Sequence, residues 1–410
     1  MTADDGGATV KVNRRLGAYL AAVGTLLALL AIASRGERTT MLLGSARTGN
    51  GPVLEVPAWA ACLAALAVLV ALAVLVALRP GPKLMMLVAA VATVALLVGV
   101  FAWAAKGRSV NVSGTLALGI GAAVPIMLGS TAGVLSERAG VLNIAIEAQL
   151  LAGAFCGALA GSVAGNAWVG LVMAALAGSA VAGILAVASL RYHADQIVTG
   201  IVLIALFLGL TGFLTEQVLA PNSVDLNTPP VFSGLRVPLL ERLPIVGRVV
   251  FAQNVLFYVA VGTAVLVEVV LRRTTIGLRI RAVGESPEAA ASSGVNVRRL
   301  RYRAVLVAGA IAGVGGAYFT LGSAGQFVAG MTSGLGFVSL AAVIIGSWRA
   351  TLAAGAAVMF GFATSIATAF GLLNVDISPS LLLALPYVVT IVLVSGLVGT
   401  GRSPAAAGRT

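Results

Sequence analysis

Long apolar segments follow one another along most of the chain, separated by short polar stretches. About 20 residues of helix cross the hydrocarbon core of a bilayer, and a helix satisfies its own backbone hydrogen bonds there. We therefore predict an all-α, polytopic integral membrane bundle. The twelve segments are 17–33, 57–78, 84–105, 113–133, 143–164, 168–190, 197–219, 252–271, 303–323, 335–346, 351–371 and 381–399. The tenth is short enough to be re-entrant, which gives ten to twelve transmembrane helices.

A β-barrel is the other architecture that spans a membrane, and its strands are segments of about 10 residues with alternating polarity. The segments here do not alternate; residues 62–78, for example, are apolar throughout. In composition, 59% of the residues are hydrophobic and 10% are charged, against about 25% charged residues in soluble domains. We expect the protein to lie in the cell membrane with lipid around its helices.

A formal net charge of +12 is compatible with nucleic-acid binding, but the basic residues lie in short loops between apolar segments. Basic residues in such loops orient membrane proteins, because Lys and Arg concentrate on the cytoplasmic side. With the N-terminus inside, 18 of the 26 Lys and Arg residues fall in inner loops, eight of them in the stretch 272–303. We therefore predict cytoplasmic N- and C-termini and no nucleic-acid partner.

The beginning of the chain differs in composition from the rest. Segments within 1–110 consist almost entirely of Ala, Leu and Val, whereas Asn, Glu, Gln, Thr and Gly occur inside the segments from Ser113 onward. Polar groups at membrane depth are costly and usually face protein or water. We predict about three accessory transmembrane helices in 1–110, a functional core in 111–400 and a cytoplasmic tail in 401–410.

The basic stretch 272–303 contains a pattern typical of a short helix. Ser286 suits the N-cap position, Pro287 the first turn and Glu288 the positive end of the helix. Gly294 suits the left-handed position that ends a helix. A short rigid helix in a basic cytoplasmic segment is suited to docking on another protein. The alternative is an ordinary basic loop that contains one helical turn.

Polar residues inside the apolar segments are candidates for contact with a solute. Asn143 and Glu147 are four residues apart, so we expect them to share one face of a helix that begins at Asn143. A polar solute needs partners within the membrane, because each unpaired buried group costs roughly 1–3 kcal/mol. The alternative is that these residues tie helices together. The candidates for a substrate pathway or an inner gate are Asn143, Glu147, Gln149, Gln196 and Thr199.

Glycines recur every four residues along that same helix. This spacing gives a flat stripe on which another helix packs closely, about 100° away from the face of the polar pair. A similar ridge of small residues lies in segment 303–323. The candidate packing residues are Gly153, Gly157, Gly161, Gly165, Gly309 and Gly313.

Motifs for catalysis are missing from the sequence. None of the three lysines follows a glycine, so there is no G-x-x-x-x-G-K phosphate loop, and the single histidine, His193, is not part of an H-E-x-x-H motif. Cys62 and Cys156 lie inside apolar segments, where cysteine acts as a small buried side chain. We expect no catalytic residue, no metal site and no cofactor in this chain, and therefore no enzymatic activity of its own.

Four stretches give the sequence a resemblance to a known family: SERAGVLNIAIEAQLLAGAF, DQIVTGIVL, RTTIGLRIRAVGESPEAAASSGVNVRRLRYRAVLVAGAIAGVGGAYFTLG and MTSGLGFVSLAAVIIGSW. In this order they resemble the permease subunits of bacterial ATP-binding-cassette (ABC) importers of the ribose and branched-chain amino acid type, in the nucleoside (simple-sugar) branch. The resemblance covers residues 115–395. It implies import of a nucleoside or a related sugar-like solute by alternating access, driven by a separate ATPase subunit.

The same resemblance implies the partners. ATP and Mg belong to the ABC ATPase subunit, which docks on the cytoplasmic segment 284–294. A second homologous permease subunit forms a heterodimer with this chain, and an extracytoplasmic substrate-binding lipoprotein delivers the small polar solute. The implied docking residues are Gly284, Glu285, Ser286, Pro287, Glu288, Ala289, Ala290 and Gly294.

Other functions also suit a polytopic membrane protein. A secondary transporter of the major-facilitator type consists of two six-helix halves, whereas the long basic stretch here follows the eighth segment. A channel uses rings of charged residues or carbonyls, and the sequence has no such charge pattern. For an ABC permease, furanose or ribose sugars and branched-chain amino acids are the alternative substrates. Gln149 and Cys156 stand where this branch is expected to have small or aliphatic residues, which leaves the substrate open.

Overall fold

The computed structural model describes single positions between 88 and 103 and residues 5–35, 38–42, 53–78, 109–235, 246–372 and 403–408. Helices account for most of these residues. Eight of the described helices are long and apolar enough to cross a membrane, and two shorter apolar helices, Leu20–Ala33 and Leu335–Ile345, accompany them. The predicted all-α, polytopic membrane fold is thereby confirmed.

The helices and strands are numbered here in chain order. They are α1 (Asp5–Ala33), β1 (Arg38–Leu42), β2 (Val53–Pro57), α2 (Ala58–Leu78), β3 (Ser109–Asn111), α3 (Val112–Arg138), α4 (Ile146–Ala164), α5 (Ala167–Arg191), α6 (Gln196–Leu214), α7 (Ser223–Leu226), α8 (Val246–Phe251), α9 (Val255–Arg273), α10 (Thr275–Glu285), α11 (Pro287–Ser292), α12 (Val297–Ala317), α13 (Leu335–Ile345) and α14 (Ala350–Leu372). Helices α6 and α12 continue as π-helical turns over Thr215–Leu219 and Tyr318–Ala324.

Ten of the twelve predicted segments coincide with described helices. Segment 84–105 is described only at single helical positions, and segment 381–399 lies outside the described residues. The tenth segment is short, as predicted, because α13 has 11 residues. At 1.5 Å per residue such a helix is about 16 Å long, roughly half of the hydrocarbon core of a bilayer.

The chain divides into two compact units. The first unit is Met1–Gly119, Val237–Phe251 and Phe362–Gly399, and the second is Ile120–Arg236, Ala252–Gly361 and Thr400–Thr410. The accessory role of residues 1–110 and the core and tail assigned to 111–400 and 401–410 stay predictions. The polar candidates and the docking candidates all belong to the second unit.

A small three-stranded sheet lies in the first unit. Its strand order is β2-β1-β3, with β1 antiparallel to β2 and parallel to β3. This sheet could not be predicted from the sequence, because strands of five, five and three residues carry too short an alternation of polarity to be recognised.

Glycines allow close contacts between α4, α5 and α12 in the second unit. A Cβ atom at Gly153 would lie 2.3 Å from the carbonyl oxygen of Gly313, and one at Gly309 would lie 2.5 Å from that of Gly178. A Cβ atom at Gly313 would lie 2.1 Å from the carbonyl oxygen of Ala174. These helices therefore pack backbone to backbone, which is how small residues associate helices in lipid without a hydrophobic driving force.

The other glycines of the predicted stripe have different surroundings. A Cβ atom at Gly157 would lie 3.3 Å from that of Ala174, and one at Gly161 would lie 3.1 Å from Pro229. Gly165 differs from the prediction, because it has no neighbour within 4 Å among the described residues. It ends α4 with a φ of +59°, so this position requires the left-handed conformation that glycine adopts readily rather than close packing.

The predicted orientation, with both termini and the stretch 272–303 in the cytoplasm, leads to a labelling experiment. Ser292 and Asn222 are exposed and the charge bias places them on opposite sides of the membrane. In a chain whose Cys62 and Cys156 have been replaced, a cysteine at position 222 should react with an impermeant thiol reagent added to intact cells. A cysteine at position 292 should react only after the cells are opened. Labelling of position 292 in intact cells would contradict this orientation.

Candidate functional site

The polar cluster lies where α3 ends and α4 begins. Between these helices the chain turns at Gly140, whose φ is +85°, and runs irregularly as far as the first residue of α4, Ile146. Asn143 therefore lies before the helix and Glu147 lies in its first turn, so the two do not share a helical face. This corrects the prediction that the helix begins at Asn143.

Two buried amides account for the irregular start of α4. Asn143 Nδ2 donates to Gln149 Oε1, and Gln149 Nε2 donates to Asn143 Oδ1, both at 3.0 Å. Both residues are fully buried. The backbone N–H of Leu142 donates to Gln196 Oε1 at 2.7 Å, which joins this stretch to α6. These hydrogen bonds hold the stretch outside the helix, because the buried amides of Asn143 and Gln149 satisfy each other across the turn.

Glu147 accepts hydrogen bonds from the first turn of α13 and the residues just before it. Its Oε1 accepts from the hydroxyl of Thr332 at 2.6 Å and from the N–H of Gly334 at 2.8 Å, and its Oε2 accepts from the N–H of Gly336 at 2.6 Å. Glu147 is only 5% exposed. The first N–H groups of a helix have no partner within it and carry partial positive charge. The carboxylate therefore caps α13 from another helix.

Two glycines allow the carboxylate to reach α13. Gly334 has a φ of +80°, a conformation that residues with a Cβ atom rarely adopt. A Cβ atom at Gly336 would lie 2.5 Å from the backbone nitrogen of Glu147. Helices α4 and α13 therefore meet backbone to backbone at this point.

The other polar candidates lie at the start of α6. Asp195 caps this helix by accepting from two backbone N–H groups of the first turn. The hydroxyl of Thr199 donates to the carbonyl oxygen of Asp195 at 2.7 Å and is thus used within its own helix. Gln196 is buried, and its Nε2 has no hydrogen-bond partner within the part of the chain that the structure describes.

Residues that the sequence analysis missed hold the opposite end of α13. The indole N–H of Trp348 donates to Glu137 Oε2 at 2.5 Å, and the Nε–H of Arg138 donates to the carbonyl oxygen of Trp348 at 3.0 Å. Arg138 Nη2 also lies 3.5 Å from the carbonyl oxygen of Ser347. Their presence in the stretches SERAG and IIGSW, which carry the family resemblance, was the available signal.

The turn after α13 needs this support because it is strained. Ser347 and Trp348 have φ values of +50° and +55°, and the left-handed conformation costs a residue with a side chain about 1–2 kcal/mol. Two consecutive left-handed residues redirect the chain from α13 into α14. The contacts of Glu137 and Arg138 stabilise this conformation.

One face of α3 supports α13 along its length. A Cβ atom at Gly129 would lie 2.5 Å from Ser339 Oγ, and one at Gly133 would lie 2.9 Å from Val343 Cγ2. Gly129, Gly133 and Glu137 are four residues apart and so share a face of α3. The α3–α4 hairpin therefore holds α13 at both ends and along its side.

The basic stretch 272–303 folds as two helices before α12 rather than as a loop with a single helical turn. Helix α10 was not predicted from the sequence; it buries Gly277, Ile280 and Val283 at helical spacing. The predicted short helix exists as α11, with Pro287 in its first turn. Ser286 occupies the N-cap position, but its side chain makes no capping hydrogen bond, which differs from the expected role.

The end of α11 is fixed by Gly294, as predicted. Its φ is +83°, its N–H donates to the carbonyl oxygen of Ala291 at 2.9 Å, and the N–H of Val295 donates to that of Ala290 at 3.1 Å. This pair of hydrogen bonds is a Schellman motif, which satisfies carbonyl groups at a helix end.

The docking candidates divide into an exposed side and a buried side. A Cβ atom at Gly284 would lie 2.2 Å from the carbonyl oxygen of Arg138, and the carbonyl oxygen of Gly284 accepts from the N–H of Ala406 at 2.9 Å. The inner side of this segment thus rests on the end of α3 and on the C-terminal tail. Gly284 and Ala290 are buried, Pro287 is half-buried, and the exposed candidates are Glu285, Ser286, Glu288, Ala289 and Gly294.

The buried polar side chains around α13 connect helices. Within the described ranges, no group of three or more His, Cys, Asp or Glu side chains could hold a metal ion. Glu147 joins α4 to the start of the short helix α13, and Glu137 with Arg138 joins α3 to the turn after it. A short helix held at both ends can move as a rigid body when either end is displaced.

Comparison with known proteins identifies the family. A family model described as "Branched-chain amino acid transport system / permease component" matches residues 115–394. No solved structure gives a significant match.

Three relatives illustrate the similarity. The guanosine ABC transporter permease protein NupQ of Bacillus subtilis is 36% identical over 70% of this chain and 92% of its own length. The nucleoside ABC transporter permease protein NupC of Lactococcus lactis is 34% identical over 69% of this chain and 92% of its own length. The glucose ABC transporter permease protein TsgB13 of Haloferax volcanii is 32% identical over 61% of this chain and 69% of its own length. The resemblance noted in the sequence is confirmed: this multi-pass protein of the cytoplasmic membrane belongs to the family of branched-chain amino acid transport system permease components.

Proposed function

We propose that the chain is the permease subunit of an ABC importer that moves nucleosides or related sugar-like solutes. The observation that carries this proposal is the similarity, at 34–36% identity, to permeases named for guanosine and for nucleosides. ATP and Mg are bound by a separate ATPase subunit. The exposed outer side of α11 supports this division of labour, because a chain without its own phosphate loop needs a surface on which the ATPase can act.

A second permease chain and an extracytoplasmic substrate-binding lipoprotein complete the proposed assembly. Bacillus subtilis has two differently named guanosine permease proteins, NupQ and NupP, among the relatives. Lactococcus lactis likewise has NupC and NupB. Two different permease chains in one organism support a heterodimer rather than a pair of identical subunits.

A hexose is the second candidate substrate. A relative from Haloferax volcanii is named for glucose and is 32% identical. Ribose and glucose both carry hydroxyl groups that need hydrogen-bond partners inside the membrane. NupQ and NupC are 36% and 34% identical to this chain over 70% and 69% of its length, whereas the two glucose relatives are both 32% identical, over 66% and 61%. The nucleoside class therefore carries more weight.

We assign Asn143, Glu147 and Gln149 to an inner gate rather than to a binding surface. The amides of Asn143 and Gln149 bond to each other, and Glu147 accepts three hydrogen bonds from the start of α13 and the residues just before it. A solute-binding residue would present donors or acceptors that are open to the solute. Groups that already satisfy one another instead stabilise one arrangement of helices.

The proposed function predicts which solute stimulates ATP hydrolysis. In proteoliposomes that contain this chain, its partner permease and the ATPase, guanosine with the binding protein should raise the ATPase rate and accumulate inside, whereas glucose should do neither. An ATPase rate that is raised by glucose and not by guanosine would favour a hexose as the substrate. Uptake that follows an ion gradient and needs no ATP would contradict an ABC importer.

Docking on α11 can be tested with neighbouring alanines. Ala291 is exposed and Ala290 is 4% exposed, so the two differ in access but not in size. A cysteine at position 291 should crosslink to a cysteine on the ATPase subunit through a short bifunctional reagent, whereas a cysteine at position 290 should not. Equal crosslinking at both positions, or no crosslinking at position 291 in an active complex, would show that α11 is not part of the interface with the ATPase subunit.

The role of the gate can be tested at Glu147. Glu147→Gln places an NH₂ group opposite a backbone N–H and leaves a buried donor unpaired, which costs about 1–3 kcal/mol. We expect ATP hydrolysis to become uncoupled from transport while the apparent affinity for solute stays unchanged. Thr199→Val is the control, because within the described residues the Thr199 hydroxyl donates to the carbonyl oxygen of Asp195 at the start of its own helix. A raised KM with normal coupling would instead make Glu147 a binding residue.

A further inference from the structure

Arg138 contacts both the α10–α11 segment and the turn after α13. Its carbonyl oxygen lies against Gly284, where a Cβ atom would approach it to 2.2 Å. Its guanidinium donates to the carbonyl oxygen of Trp348 at 3.0 Å. The residue before it, Glu137, accepts the indole N–H of the same Trp348. One end of α3 therefore joins the α10–α11 segment, called here the docking segment (residues 275–292), to α13.

We propose that Arg138 is a positioning residue that transmits displacement of the α10–α11 segment to α13. This rests on the proposed function, because the displacement originates in the ATPase subunit. The path is short: the docking segment presses on the backbone of Arg138, and the side chain of Arg138 moves the turn at Ser347 and Trp348.

The docking segment is rigid enough to transmit such a displacement. A Cβ atom at Gly277 would lie 2.0 Å from the carbonyl oxygen of Val270, so α10 packs directly on the end of α9. Glu268 of α9 pairs with Arg272 at 2.5 Å and lies 3.6 Å from Arg349, the residue after the turn. A second contact thus runs from α9 to the same turn. Closely packed elements move as bodies because protein interiors have few voids that could absorb a shift.

The displacement would reach the gate through α13 itself. The helix has 11 residues and one continuous hydrogen-bonded backbone, so a shift at Trp348 changes the position of Gly334 and Gly336 at the other end. These two N–H groups bind Glu147. ATP-driven movement at α11 would therefore loosen or tighten the gate through α13.

The left-handed turn gives the transmission a defined switch point. Ser347 and Trp348 occupy a conformation that side-chain-bearing residues adopt only when neighbours hold it. The contacts of Arg138 and Glu137 with Trp348 stabilise the turn on one side. The ion pair of Arg349 with Glu268 stabilises it on the other. Removal of either set of contacts should reduce the movement of the turn that follows a displacement of the docking segment.

The test measures movement of α13 directly. Ser333 is exposed just before α13, and a cysteine at this position, in a chain without Cys62 and Cys156, reports on the helix by its rate of reaction with a thiol reagent. In the assembled complex, addition of ATP should change that rate by about fivefold or more, because the rate follows the population of the state in which the thiol is accessible and coupling between sites typically shifts such an equilibrium by that factor. Arg138→Ala should clearly reduce the change while ATP hydrolysis and complex assembly persist.

Conservative variants separate transmission from loss of folding. Arg138→Lys keeps the charge and one donor, so part of the ATP response should return. Trp348→Phe keeps the ring and loses only the indole N–H, and should reduce the response even if Arg138→Ala does not insert. Trp168→Phe is the matched control, because Trp168 is 56% exposed and contacts Phe232 instead. Its response should equal that of the parent chain.

An assembled Arg138→Ala or Trp348→Phe variant whose position 333 still responds to ATP like the parent would overturn the proposal. This outcome is distinct from failure of the proposed function. If the parent complex moves no nucleoside but position 333 responds to ATP through Arg138, the substrate is wrong and the transmission stands. If the parent moves nucleoside and position 333 does not respond, the transmission is wrong and the function stands.

Discussion

The hydrogen bonds from the first turn of α13 and Thr332 to the carboxylate of Glu147 are the constraint on which the arrangement of the core depends. Lipid supplies no hydrogen-bond partner, so a buried charge and the unpaired N–H groups of a helix end must satisfy each other. Glu147 does so with three donors. Because these donors lie at the start of α13 and just before it, nearly 190 residues away in sequence, this one residue fixes how α4 and α13 meet.

The same requirement explains the opposite end of α13. The turn at Ser347 and Trp348 would expose carbonyl groups and an indole N–H at the end of a buried helix, and Glu137 with Arg138 satisfies them. Both ends of one short helix are thus satisfied by a single hairpin. A permease needs elements that shift together without opening the membrane to leakage, and a helix whose polar ends are always covered meets that need.

Local features could be predicted from the sequence, whereas features that depend on tertiary contacts could not. Ten apolar segments and the left-handed Gly294 follow from hydropathy and from the conformational freedom of glycine, which act within a few residues. The late start of α4 depends on the pairing of Asn143 with Gln149, and the role of Glu147 depends on Gly336. Neither contact leaves a periodic pattern. Gly165 was misassigned because spacing alone does not distinguish a packing glycine from a helix end.

The Schellman motif at the end of α11 has a consequence for recognition. A six-residue helix is too short to persist alone in water, yet α11 is held by Pro287 at its start and by Gly294 at its end. A protein that binds it meets a surface whose backbone is already ordered, so association loses little conformational entropy. Such preorganisation allows a partner with a small contact area to bind and dissociate quickly. A partner that must bind and release α11 in every transport cycle requires this.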